Sequence, residues 1–218
     1  MHAIVHSKSF EVDGRLADFG LNLDQVIEIV KACAAAQGGC TDNDPPGARG
    51  FESWRWGVRR AREILRPLGW DKDDTGGFST IVNHDRKFRL AIMNADDGVG
   101  TVDQVPQNRS RKGAISEQVS TANRQLAFPG VSEWPIPVNQ GDQTDVSGYA
   151  TWHLCVYMND VTVRAELSLL SGFENGFYTE FIEKIFILSD GDWDPLSIGV
   201  SPGGDEPGQE FDVRVVRK

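Results

Sequence analysis

Cysteine is scarce in this chain: 218 residues hold three, Cys33, Cys40 and Cys155. So small and odd a number excludes a disulfide framework and suits a reducing compartment. Long apolar runs are missing too. Stretches such as Ile185 to Leu188 fall far short of the roughly 18 residues a spanning helix needs. The opening MHAIVHSKSFEVDG lacks the apolar core of a secretory leader. The expectation is a cytoplasmic protein that does not contact membrane, in which Asn108-Arg109-Ser110 is a chance sequon. Neither G-x-S-x-G nor H-E-x-x-H occurs, and no phosphate-loop lysine follows the short Gly98-Val99-Gly100 run. No cofactor is therefore expected, and no internal repeat is present.

What remains has globular proportions, with 39 % hydrophobic and 25 % charged residues. A packed core follows, in one α+β domain with residues 129–148 as a possible internal linker. Charge is unevenly placed. Residues 49–124 carry 14 basic and 10 acidic side chains, whereas the other 142 carry 8 and 22, for a net charge of −10. A basic middle between acidic ends marks a possible anion-binding surface, unless the segments neutralise one another on folding.

Local patterns give the elements. Asn22 and Gln25 form a capping-box pair, and Val26, Ile29, Val30 and Cys33 follow at helical spacing until Gly38-Gly39. A second helix, with Asp44 as cap and Pro45 at its first position, puts Phe51, Trp54, Val58, Ala61 and Leu65 in one apolar stripe. Arg55, Arg59, Arg62 and Arg66 line its neighbouring flank. Phe78 to Val82 and Phe88 to Met93 read as strands joined near His84 to Lys87, and Ile115, Val119, Ala122 and Leu126 as a third amphipathic helix. Thr151 to Met158 and Val161 to Leu169 flank a two-residue turn at Asn159-Asp160, Phe177 to Leu188 reads as a helix, and Phe211 to Val216 as a last strand. The fold expected is antiparallel hairpins with helices on one face of the sheet and a helical N-terminal third.

On the second hairpin that register pairs His153 with Glu166, beside Arg164 and Tyr157. A carboxylate opposite an imidazole prepares a general base, and an arginine can hold a substrate anion. Cross-strand charge pairs also arise simply because they stabilise a sheet. Asp96 and Asp97, in the loop from Asn94 to Lys112, are candidate metal ligands; Arg109, Arg111 and Lys112 in the same loop form a basic cluster. Asp190, Asp192 and Asp194 alternate like the start of a calcium loop but lack its glycine and glutamate. The leading expectation is a non-catalytic interaction protein whose arginine helix and basic loop contact nucleic acid or an acidic protein surface. The alternatives are a metal-dependent hydrolase or nuclease acting on phosphate esters, and internal pairing of the arginines with acidic surface from the C-terminal third, where residues 125–218 carry 15 acids and 5 bases.

Overall fold

The computed structural model describes residues 4–127, 148–159 and 161–193. Its elements in chain order are β1 (Ile4–His6), α1 (Ser9–Phe19), α2 (Leu23–Gly38), α3 (Ala48–Leu65), β2 (Asp71–Asp73), β3 (Thr80–Asn83), β4 (Phe88–Asn94), α4 (Ala114–Ala127), β5 (Ala150–Met158), β6 (Val163–Glu174) and β7 (Phe177–Leu188). The capping box forms: Gln25 N–H donates to Asn22 Oδ1 at 2.9 Å, and Asn22 N–H to Gln25 Oε1 at 3.0 Å. Leu21 and Val26 are both buried beside it, as a hydrophobic staple requires.

The α3 helix starts later than expected. Asp44 instead closes a turn by accepting from Thr41 N–H at 2.7 Å. Gly47, in the left-handed region at φ 86°, is the cap. The buried face of α3 is Ser53, Gly57, Val58, Ala61 and Leu65, and Phe51 is left 56 % exposed. The face turns this way because Gly57 lets α3 close on α2 and the sheet: a Cβ there would stand 2.5 Å from Cys33 Sγ and 2.9 Å from Ile92 Cγ2.

All seven strands form one mixed sheet in the order β1-β7-β6-β5-β4-β3-β2. Hairpins are only part of it, because β4 pairs β5 in parallel and β1 pairs β7 in parallel. Helices cover both faces rather than one. Helices α1 to α3 pack on the side carrying Leu90, Trp152, Leu154 and Leu167. Helix α4 packs against β5, β6 and β7 on the other side, where Asn123 bonds the backbone of Thr151 and Leu170. The N-terminal third holds three helices but also β1, so it is only partly helical.

Phe177–Leu188 is a strand, not a helix. Asn175 (φ 53°) and Gly176 (φ 88°) both lie at positive φ between the paired residues Glu174 and Phe177. Two such residues make the tight turn that favours a hairpin, and the aromatic and β-branched run after it suits a strand buried between β6 and β1. Most of the linker candidate 129–148 and the strand expected at 211–216 fall outside the described residues. Among the described residues no helix is long and apolar enough to cross a membrane.

Close approach at Gly57 has a measurable consequence. Gly57→Ala is expected to cost about 1–3 kcal/mol through overpacking, outweighing the gain of about 1 kcal/mol that alanine brings to an open helix site. Urea denaturation measures the balance; a variant as stable as the parent contradicts this packing.

Candidate functional site

The hairpin face expected to carry chemistry is present, with its partners shifted. Pairing runs His153↔Ser168, Cys155↔Glu166 and Tyr157↔Arg164, two residues away from the register expected. The turn accounts for the shift. Asn159 Oδ1 accepts from the amides of both Val161 (2.9 Å) and Thr162 (2.7 Å), so pairing starts at Met158↔Val163 instead of Met158↔Val161. A shift of two keeps every side chain on its face while changing its neighbour. His153 and Glu166 therefore share a face but are not partners.

Glu166 belongs to a charge pair sealed from solvent. Its Oε1 lies 3.1 Å from Lys184 Nζ, and both side chains are 0 % exposed. Ser168 donates to Oε1 at 2.5 Å and Gly100 N–H to Oε2 at 2.6 Å. Lys184 also donates to the carbonyls of Thr101 (3.0 Å) and Gln104 (2.6 Å). Burial pushes the Glu166 carboxyl up from its ordinary value against the opposing pull of Lys184. The pair fastens the long loop after β4 onto the sheet. Arg164 does the same beside it, donating to the Asp97 carbonyl at 3.0 Å while stacking on Tyr157 at 4.7 Å. Arg109 approaches that ring at 5.8 Å and donates to the carbonyls of Ala95 and Met158. Asp96 Oδ1 accepts from Gly98 N–H at 3.2 Å and Gln107 N–H at 3.0 Å, which closes the loop on itself. Asp97 is exposed. Among the described residues no three His, Cys, Asp or Glu side chains gather as metal ligands would.

His153 sits elsewhere, in a cleft of about 270 Å³ under the start of α4. Its walls include Trp54, Phe78 and Met93; Ser79, Lys112, Ser116, His153 and Tyr178 supply its polar side chains. His153 is 2 % exposed. Its Nε2 lies 3.0 Å from the Tyr178 hydroxyl, which reaches across β6 from β7, and its Nδ1 has no partner. Burial, with the charge of Lys112 second, holds the imidazole pKa down to about 3, so the ring is neutral at physiological pH. Burial also raises the Tyr178 phenol, against a hydrogen bond from Ser116. Lys112 is itself half-buried, and burial lowers its pKa. Gly113 and the first two residues of α4, Ala114 and Ile115, line the same cleft, and a helix start carries N–H groups without acceptors in the helix itself.

The arginine flank is assembled as well, along a more open cleft of about 570 Å³ that Arg55, Arg59, Arg62 and Arg66 all line. Three of the four hold acids, from nearer in sequence than the C-terminal third. Arg55 pairs with Glu52 at 2.6 Å, Arg59 with Glu63 at 2.7 Å and Arg62 with Asp74 at 2.5 Å. Arg111 is exposed and packs its stem on Gly176. Reasoning from sequence missed Tyr178, Ser116 and Lys184; the Asn175-Gly176 turn was the signal that places Tyr178 on a strand within reach of His153. No protein-family model, curated protein or solved structure matches the chain, so the chemistry is read from geometry.

Lys184→Met should strand a buried carboxylate and cost about 3–5 kcal/mol, whereas the double change with Glu166→Met should recover much of the loss. Denaturation and hydrogen exchange at the Gly100 amide report both effects. A single variant within 1 kcal/mol of the parent contradicts the fastening role.

Proposed function

We propose that this protein binds a small anion in the cleft beneath α4. The observation that carries the reading is convergence: His153, whose buried Nδ1 has no partner, Lys112 and the first residues of a 14-residue helix line one cleft. A helix N-terminus favours negative charge, and a cation beside it adds to the attraction. Lys112 is the one charged residue among the described residues lining the cleft. Binding fits better than catalysis, because an imidazole with a pKa near 3 is a poor proton acceptor and has no carboxylate on Nε2 to raise it.

A second reading keeps the arginine flank of α3 as a contact for nucleic acid or an acidic protein surface. Four guanidinium groups lining one open cleft favour it. Their ion pairs count against it, although exposed pairs are worth only about 0–1 kcal/mol and a polyanion can displace them. Under that reading a single-stranded oligonucleotide binds at low salt and weakens steeply as salt rises, and Arg59→Glu with Arg66→Glu abolishes binding. No binding in 20–50 mM salt, about the lowest practical range, removes it.

For the small-anion reading the test is an amide NMR titration of the full chain with acetate, benzoate and inorganic phosphate. At least one should shift Ala114 and Ile115, and Lys112→Met should weaken that anion about 5–20-fold, as loss of a charged hydrogen bond does. If none of the three moves those amides, the reading fails.

A further inference from the structure

The direction of the hydrogen bonds around Tyr178 sets what the cleft can accept. The phenol oxygen faces His153 Nε2 at 3.0 Å, and Ser116 beside it pulls the phenol pKa down against burial. A phenol is a much stronger acid than a neutral imidazole N–H, and a bare imidazole nitrogen is a better acceptor than an alcohol oxygen. The stronger arrangement is the Tyr178 hydroxyl donating to His153 Nε2. The imidazole proton then sits on Nδ1, the atom without a partner. Asn108 anchors the backbone that carries Tyr178, since its Oδ1 accepts from Tyr178 N–H at 3.3 Å and its Nδ2 donates to the Gly176 carbonyl at 2.9 Å.

With that tautomer His153 Nδ1–H, Lys112 and the unbonded amides at the start of α4 offer donors only, and the Ser79, Ser116 and Tyr178 hydroxyls beside them can donate or accept. A buried donor with no acceptor is costly, so the complementary head group only accepts. The rest of the wall is apolar: Trp54, Phe78, Met93 and Ile115 face the same space. Its 270 Å³ lies just below the usual range for ligand pockets and limits the occupant to a small molecule. We infer that the cleft takes a small carboxylate carrying an apolar body, with Tyr178 as the positioning residue that keeps His153 a donor. The inference rests on the small-anion reading and narrows it to one chemical class.

The experiment compares benzoate, benzamide and inorganic phosphate on the full-length 15N-labelled protein. Imidazole 15N shifts report the His153 tautomer. Benzoate is expected to bind at least about tenfold more tightly than benzamide, which loses the charge, and than phosphate, which lacks the apolar body. In the free protein His153 should carry its proton on Nδ1. Tyr178→Phe should shift the tautomer toward Nε2–H and weaken benzoate about tenfold; if that variant does not fold, the parent's own tautomer and its preference for benzoate over benzamide decide the inference. Phosphate binding as tightly as benzoate overturns the apolar-body inference and leaves the small-anion reading standing. Equal binding of benzamide, or an Nε2–H tautomer in the parent, overturns the acceptor-only head. Failure of all small anions sinks the proposed function itself.

Discussion

One sealed charge pair holds the second face of the sheet in order. Lys184 and Glu166 have no access to water, so each depends on the other and on the Ser168, Gly100, Thr101 and Gln104 groups around them. Such a pair contributes little net energy relative to apolar packing but is very costly to break. Its effect is to specify one position for the loop between β4 and α4. That loop ends at Lys112 and Gly113, directly before α4, so fixing it fixes the rim of the His153 cleft. The aromatic clamp of Arg109, Tyr157 and Arg164 acts on the same loop, through Asp97 near its start and Arg109 near its end.

Local chemistry was the legible part of the sequence. The Asn22 capping box, the apolar stripe of α2 and the turn before Phe88 depend on residues a few positions apart, and all are found. The failures involve pairing at a distance. Nothing near β4 or β5 announces that they run parallel, since the connection between them passes through α4 and an intervening segment. Residues 185–188 at the end of β7 are apolar on both sides, where helices cover both faces of the sheet, and periodicity alone does not distinguish such a run from a helix. The β5–β6 register turned on one side chain, Asn159, whose carboxamide gathered two amides and moved every cross-strand partner by two positions.

The candidate site was legible in the same uneven way. His153, Glu166, Arg164 and Tyr157 were correctly placed on one face of one hairpin. Their roles then diverged with what covered them: Glu166, Arg164 and Tyr157 lie under or beside the loop and serve its attachment, whereas His153 lies under α4 and keeps a free nitrogen. Lys112 stood out only as part of a basic cluster, and its importance comes from its position one residue before Gly113 and the helix. The arginine flank shows the opposite pattern. It is regular in sequence, and on folding three of its four guanidinium groups pair with Glu52, Glu63 and Asp74, partners that charge spacing alone did not name.

The account reduces to a donor-lined cleft with an apolar wall, and a crystal soaked in benzoate examines it at atomic level. The expected result is a carboxylate within hydrogen-bonding distance of His153 Nδ1 and Lys112, with its ring against Phe78 and Trp54. A cleft holding only water in such a crystal, or benzoate seated on the arginine flank instead, contradicts it.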